Sequence, residues 1–375
     1  MDWEVNENAI VDQKGAYNIL GRGRVLSAMA MAYDWLYNKL SPRKRRRIRR
    51  HLDAEANRLF LYNETIVGNS SSNNWDPWIG AGYGMAGIAL RDEHRWAGDW
   101  VASMKRIFRV NLHHSGEDFG YFNSGLIKSL DFGISLKTAT GEDIFTAEKE
   151  RLKTLLDYRT MLLEPLGERY AQFGDARGSN DPLLSLCLAT CFEDPLAQWF
   201  IKHRSAGTAD HMKSWAWNHM LPIAVVTLYD PLVKETGPNL PRMPLARSFA
   251  NEPRLVPGVR GVTIMRTGYD RTADIQLALR CGDYGGWHGH PDQGSFVLNA
   301  YGDRMVVDFA LGAPYGTPKN NFSKSALAHS GVLVDEKGQV EYSSPVFHNR
   351  EAGRTGPLMH TRFIDHVMAD MTVAF

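Results

Sequence analysis

One change of pattern, close to residue 230, limits the folds open to this chain more than any other feature of its sequence. On the N-terminal side, apolar residues recur at helical spacing, as Leu26, Met29, Tyr33, Leu36 and Leu40 do. On the C-terminal side, Ile275, Leu277 and Leu279 occupy alternate positions, which is the spacing of a strand. The sequence therefore predicts a multidomain α+β protein, in which a helical part precedes a β part.

The helical part is predicted to contain several consecutive helices. Ser41 and Pro42 indicate a helix start, because Ser is a favoured N-cap residue and Pro fits the first turn. The same periodicity predicts further helices over residues 96–110, 152–163, 182–203 and 213–228. Repeated helices without strands favour an (α/α) toroid, complete or partial, over residues 1–230.

The β part is predicted to follow a linker. Residues 231–257 hold six prolines and little periodicity, which is typical of a linker or an extended crossover. Residues 258–375 are predicted to form an antiparallel β-sandwich domain. Tyr301-Gly302-Asp303 indicates a hairpin between strands 295–300 and 304–308, and residues 336–338 a turn between strands 331–335 and 339–342. Residues 369–375 predict a last strand.

Composition and charge exclude some classes of protein. The net charge of +1 over 375 residues provides no global attraction to nucleic acid, and no apolar run is long enough to span a membrane. Cys187 and Cys191 lie in an apolar helical stretch, which favours buried thiols. The acidic, polar N-terminus is not a signal peptide, and we expect the chain to be a piece of a longer protein.

One run of basic residues stands out, at Arg43 to Arg47 with Arg49 and Arg50. A solvated helix face is the favoured interpretation. The alternative is a surface that attracts a polyanion such as an anionic glycan.

The residues most indicative of chemistry lie in the β part. His288 and His290 are separated by one residue, so in an extended segment their side chains share a side. Asp308 follows an apolar run, where a carboxylate needs a partner, and His329 precedes the next predicted strand. Two His and one Asp make a zinc set with a fourth position open. Separate, hydrogen-bonded histidines are the structural alternative.

These motifs resemble the sheet domain of the heparinase II/III polysaccharide lyases, a family that includes heparin, heparan, chondroitin and alginate lyases. The resemblance is carried by the run from Trp287 through His288 and His290 to Leu298, by residues 301–308, by the segment around Tyr315, and by Ala328-His329-Ser-Gly. It covers residues 261–339 and is looser over the helices. The order of parts, toroid and then β-sandwich, agrees.

The resemblance implies roles for these residues. The family's zinc ligands fall on His290, Asp308 and His329, and that Zn²⁺ is mainly structural. His288 matches the catalytic His. Tyr121, in Gly116-Glu-Asp-Phe-Gly-Tyr121, matches the catalytic Tyr, and Tyr315 resembles a second Tyr of some alginate-cleaving relatives.

The match for the residue that neutralises the substrate carboxylate is Asn74, in Ser72-Asn73-Asn74-Trp75. Trp75 departs from the family, since many members have His there. We predict Asn73, Trp75, Tyr170, Arg177 and Trp287 as substrate-binding residues, although a structural role is the favoured alternative for Tyr170 and Arg177. Asn74 alone could be a helix cap, and Tyr121 alone could belong to the core.

The resemblance thus implies a lyase that cleaves a uronic acid polysaccharide by β-elimination, with an anionic polysaccharide or oligosaccharide as its partner and neither nucleic acid nor membrane. It implies a periplasmic or secreted location and a site in a cleft between the domains. A zinc-dependent hydrolase and a catalytically defective glycan-binding relative stay open as alternatives. The sequence specifies neither the polymer nor the oligomeric state.

Overall fold

The fold is described from a computed structural model of the chain. It describes residues 15–67, 73–165, 170–171, 173–175, 183–205, 229–238, 243–256, 258–269, 272–283, 288–308, 317–339 and 353–375. The predicted helix over residues 213–228 lies outside the described residues.

Helices occupy most of the described residues before position 206. They are α1 (Gly15–Leu36), α2 (Pro42–Tyr62), α3 (Trp75–Ala89), α4 (Ala97–His114), α5 (Phe119–Thr140), α6 (Lys149–Leu162), α7 (Leu183–Phe192) and α8 (Pro195–Phe200), and a short α9 (Pro318–Ser323) lies in the β part. The predicted start of α2 is confirmed, because the hydroxyl of Ser41 accepts from the backbone N of Lys44 and Pro42 is the first helical residue. None of the described helices combines the length and apolar character needed to cross a membrane.

The helix predicted over residues 182–203 is two helices instead, α7 and α8. Glu193 has a φ of 51°, in the left-handed region that ends helices. The carboxylate of Asp194 then accepts from the backbone N atoms of Leu196 and Ala197, both at 3.0 Å, and Pro195 is the first residue of α8. Asp-Pro is therefore a new helix start inside an apolar stretch that looks continuous.

An antiparallel sheet of five strands follows, in the order β1 (Ala246–Ser248), β2 (Val262–Arg266), β3 (Gln276–Arg280), β4 (Phe296–Ala300) and β5 (Asp303–Val306). The predicted hairpin is confirmed between β4 and β5, with positive φ at Tyr301 (57°) and Gly302 (88°), as a two-residue primed turn requires. Two shorter pairs join β6 (Arg354–Thr355) to β9 (Ala369–Asp370) and β7 (Met359–His360) to β8 (Asp365–His366).

Two predictions about the β part were wrong. Residues 331–335 form no strand, only an isolated bridge between Val334 and Lys337 around the left-handed Asp335 and Glu336, and the predicted partner strand beyond Gln339 lies outside the described residues. The chain end is not a continuous strand either, because β9 stops at Asp370 and a 3₁₀ turn over Thr372–Ala374 follows.

The described residues cluster into two compact units. The first unit holds residues 1–111 and 125–147, and the second holds residues 112–124 and 148–375. In the first unit α3 is buried on every side, which explains its lack of an amphipathic pattern. In the second unit, α6 and α7 belong with the sheet.

The second unit depends on a row of polar side chains that crosses four strands. Arg266 lies opposite Gln276, Gln276 opposite Asn299, and Asn299 opposite Arg304. Leu277 and Leu279 are the half-buried residues of β3, whereas Gln276 and Arg280 are buried. Strand β3 was therefore predicted correctly, but its more deeply buried face carries the polar residues.

This polar row binds the C-terminal end of α6. Arg266 and Gln276 both donate to the carbonyl oxygens of Met161 and Leu163, at 2.5–3.1 Å. These are groups that an α-helix leaves without a partner at its C-terminus, where the helix dipole also favours a cation. The row thereby attaches the helix to the sheet.

We expect Gln276→Met to lower the free energy of unfolding by about 1–3 kcal/mol, because it removes the amide that bonds two helix carbonyls and the amide of Asn299. Leu277→Met, on the opposite face of β3, is the control and should cost less than about 1 kcal/mol. Urea denaturation measures both. Equal losses would contradict a role for the polar row.

Candidate active site

The N-terminus of α5 brings Tyr121 to the candidate site. Asp118 precedes α5, and its Oδ1 accepts from the backbone N of Tyr121 at 3.0 Å, as an N-cap carboxylate does. Its Oδ2 accepts from the backbone N of Asp175 at 2.9 Å, which fixes a second loop against the helix start. Burial raises the pKa of Asp118 to about 7.

Tyr121 and His288 form a parallel stack, with ring centroids 3.4 Å apart and ring planes inclined by 3°. Both residues belong to the second unit. The side chain of His288 is 16% exposed, so one edge of the imidazole reaches the surface. Burial lowers the pKa of His288, against the opposing effect of its bond to Asp175. Tyr121 is half-buried, so it is not confined to the core.

Asp175 lies at the centre of the site, although no motif of the sequence predicted it. Its Oδ2 lies 2.9 Å from Nδ1 of His288 and 2.9 Å from Nζ of Lys324, and its Oδ1 lies 2.9 Å from Nε2 of His290. Burial opposes ionisation of this carboxyl, but these three donors outweigh it and hold its pKa well below the usual range. The only signal in the sequence was Gly174-Asp175 beside the predicted Tyr170 and Arg177.

Glu117 is the other acidic residue near His288. Its Oε1 lies 3.9 Å from Nε2 of His288, and its side chain is buried. Nε2 is therefore the ring nitrogen opposite the Asp175 contact, and it lies within Coulomb range of a second carboxylate.

The predicted zinc ligands are near one another but do not form a closed set. The rings of His290 and His329 have centroids 5.0 Å apart, and Asp308 accepts from Nδ1 of His329 at 2.8 Å and from the hydroxyl of Ser295 at 2.5 Å. Among the described residues, no group of three or more His, Cys, Asp or Glu side chains could hold a metal ion.

Two nitrogen atoms of this group nevertheless fit a metal. Nδ1 of His290 and Nε2 of His329 are buried and have no hydrogen-bond partner among the described residues. Buried polar atoms are rarely left without a partner, and an imidazole nitrogen is a good ligand for Zn²⁺. Asp308, bonded to the other nitrogen of His329, orients that ring in the way that carboxylates orient metal-binding histidines.

The predicted Asn74 belongs to the first unit, at the N-cap position of α3. Its side chain makes no capping bond, and its buried Oδ1 has no partner among the described residues. Asn73 instead accepts from the backbone N of Trp75 at 2.8 Å, so its side chain shapes the start of α3. Trp75 is half-buried, and burial raises the pKa of the following Asp76 to about 8.

Tyr170 has to be reassigned. Its ring is completely buried against Phe119, and its hydroxyl accepts from Arg159 at 3.1 Å. A side chain with no exposed surface has nothing to offer a polysaccharide, so Tyr170 is a core residue. Arg177, Trp287 and Tyr315 lie outside the described residues.

Comparison with known proteins shows which family the sheet region resembles. Residues 259–366 match the family described as Heparinase II/III-like, C-terminal. No curated protein sequence matches the chain.

Several solved structures have a similar fold over most of the length of this chain. A heparinase III is 12% identical with a TM-score of 0.60, over 92% of this chain and 49% of its own. A mutant heparan sulfate lyase from Pedobacter heparinus is 14% identical with a TM-score of 0.61, and the match covers 96% of this chain and 51% of the lyase. A heparinase III with methylated lysines is 13% identical with a TM-score of 0.61, and the match covers 98% of this chain and 53% of that heparinase.

At these identities the likeness concerns the fold, which is helix-rich with an antiparallel sheet toward the C-terminus, as in heparinase III. The chain spans about half the length of these structures. The family match covers residues 259–366 only, so the comparisons show that this region is similar to the heparinase II/III-like family, and there the predicted resemblance is confirmed.

We expect Gly174→Ala to destabilise the second unit. Gly174 has a φ of 81°, and a Cβ there would overlap the Asp118 carboxylate and lie 2.8 Å from the carbonyl oxygen of His288. Gly141→Ala is the matched control, because Gly141 has a φ of 80° with open space around it, so only the backbone strain of about 1–2 kcal/mol applies. Urea denaturation should give a larger loss for Gly174→Ala, and equal losses would contradict the tight packing.

Proposed function

We propose that this protein is a polysaccharide lyase that cleaves a uronic-acid-containing glycosaminoglycan by β-elimination. The observation that carries the proposal is the parallel stack of Tyr121 on His288, with Asp175 bonded to Nδ1 of the imidazole. A tyrosine and a histidine of this kind supply the acid and the base that such an elimination needs.

The reaction requires two proton transfers. A base removes the proton on C5, beside the uronate carboxylate, and the electron pair of that C–H bond is delocalised into the carboxylate. The pair then forms the C4–C5 double bond as the C4–O bond breaks. An acid donates a proton to the departing oxygen, so water is not consumed and the product is a 4,5-unsaturated uronic acid end.

The geometry of the stack favours separate roles for the two rings. A hydrogen bond of an imidazole nitrogen or a phenol lies close to the plane of its ring, and two parallel planes 3.4 Å apart offer no in-plane bond to each other. His288 therefore acts on the substrate through Nε2 as the base, and Tyr121 acts as the acid. This arrangement argues against His288 serving only to activate Tyr121.

Asn74 is our candidate for the group that binds the substrate carboxylate. An amide donor there would stabilise the charge that develops as the C5 proton leaves. Its side chain makes no capping hydrogen bond at the start of α3, so helix capping does not account for an Asn at this position. The exposed Arg43, Arg46 and Arg50 of α2 add positive potential that suits an anionic polymer.

We propose Zn²⁺ as a structural ion held by His290 and His329, with Asp308 completing or orienting the set. The unpartnered nitrogens of the two histidines support it. When bound, the ion would crosslink the segments that carry the two rings, and the histidines and Asp308 would keep those segments beside His288.

We further propose that the helices belong to an (α/α) toroid and the sheet to a β-sandwich, and that the protein is periplasmic or secreted, where glycosaminoglycans are met. The preference for a glycosaminoglycan over alginate follows the names of the similar structures, heparinase III and heparan sulfate lyase.

We expect wild-type protein to release ultraviolet-absorbing product from at least one of heparan sulfate, chondroitin, hyaluronan and alginate. Tyr121→Phe should lower kcat by about 100-fold or more, because the acid is lost while the ring stack is kept. Tyr301→Phe, an exposed tyrosine of the β4–β5 turn, is the control and should leave kcat unchanged.

If no polymer gives an ultraviolet-absorbing product, the lyase proposal is wrong. Cleavage without absorbance and with water incorporated would instead identify a hydrolase, and binding without cleavage would identify a glycan-binding relative.

We expect purified protein to contain about one Zn²⁺ per chain by elemental analysis, since one structural site is proposed. His329→Ala should lose the metal and lower the melting temperature, whereas His360→Ala, an exposed histidine paired with Asp365, should keep both. A His329→Ala protein with full metal content would exclude this site.

A further inference from the structure

The environment of the Asp175 side chain determines the protonation pattern around it. Its carboxylate is 1% exposed and is contacted at 2.9 Å by each of three nitrogens, from His288, His290 and Lys324. An ionised carboxylate only accepts hydrogen bonds, so each of these nitrogens must present a proton to it. A neutral His288 therefore carries its proton on Nδ1 and its lone pair on Nε2.

Asp175 is also attached to His288 through the main chain. Its backbone N donates to the carbonyl oxygen of His288 at 2.8 Å, and to Oδ2 of Asp118 at 2.9 Å. The carboxylate and the backbone of one residue thus hold both the ring and the peptide of His288. Asp118 in turn caps the helix that carries Tyr121.

We propose that Asp175 is a positioning residue, which fixes His288 in the Nδ1-protonated tautomer and in the plane of the Tyr121 stack. It acts through His288 and does not touch the substrate. This inference rests on the proposed lyase function for its kinetic consequence, but the tautomer itself does not depend on any activity.

Lys324 and His290 complete the arrangement. Lys324 follows α9, and its ammonium lies 2.9 Å from Oδ2 of Asp175, the oxygen that also contacts Nδ1 of His288. A leucine at position 175 has nearly the same shape and no acceptor oxygen, so neither imidazole keeps its partner. Asp175→Leu therefore removes the positioning, whereas the amide oxygen of an asparagine would still accept from His288.

The kinetic test compares Asp175→Leu with Glu164→Gln. Glu164 is also a buried, ion-paired carboxylate of the second unit, bonded to Arg304. Asp175→Leu should lower kcat by about 100-fold or more with little change in KM, because the tautomer and the orientation of the base are no longer fixed. Glu164→Gln should change kcat by less than about twofold.

A double-mutant cycle tests whether Asp175 acts through His288. On a His288→Gln background, Asp175→Leu should change kcat by less than about threefold, since the ring to be positioned is gone. An Asp175→Leu effect of the same size on both backgrounds would overturn the proposal. Asp175→Glu, which restores the charge, should recover part of the activity.

The closing experiment is nitrogen NMR of protein labelled on its histidines, with His288 assigned by comparison with His288→Gln. Wild-type His288 should show a protonated Nδ1 and an unprotonated Nε2, and Asp175→Leu should lose this pattern while Glu164→Gln keeps it. An unprotonated Nδ1 in the wild type, or an unchanged pattern in a folded Asp175→Leu protein, would overturn the proposal.

The spectrum remains decisive if Asp175→Leu does not fold, because the wild-type tautomer alone tests the assignment. If the wild-type protein cleaves no polymer while His288 shows the expected tautomer and its dependence on Asp175, the lyase function fails and the positioning role stands.

Discussion

The second unit depends on a carboxylate that is buried and yet fully paired. A charge taken out of water is costly unless hydrogen bonds and an opposite charge compensate for it, and Asp175 has three nitrogens at 2.9 Å. Through these bonds one residue joins the loop at 173–175, the His288–His290 segment and the end of α9. The backbone N of Asp175 also donates to Asp118, so the start of α5 is held to the same residue. The position of the Tyr121–His288 stack follows from these connections.

The polar row of the sheet provides partners for the buried carbonyl oxygens at the end of α6. A helix C-terminus inside a protein needs donors, and Arg266 and Gln276 provide them from the strands. In both places the polar groups are satisfied across elements that are distant in sequence, and satisfied networks of this kind favour one arrangement over alternatives. The scaffold that carries the site is thus held by directional bonds as well as by apolar packing.

Local signals were sufficient for much of the fold. Ser41-Pro42 predicted the start of α2, Tyr301-Gly302 predicted the hairpin, and the alternation around Leu277 predicted β3, because each depends on the backbone preferences of a few neighbouring residues. The break at Glu193-Asp194-Pro195 was missed because the apolar pattern continues through it. The more buried face of β3 was not predictable, since its polar partners come from α6, over 100 residues earlier.

The same division applies to the candidate site. The sequence by itself predicted His288, His290, Asp308 and His329 as one chemical group, and through the family resemblance Tyr121 as a candidate catalytic residue, because motifs and spacing are properties of the chain. Only the tertiary structure decided that Tyr121 stacks on His288, that Tyr170 is core, and that Asp175 connects the two histidines. Asp175 lies 113 residues from His288, and its role comes from hydrogen bonds and burial, which exist only once the chain has folded.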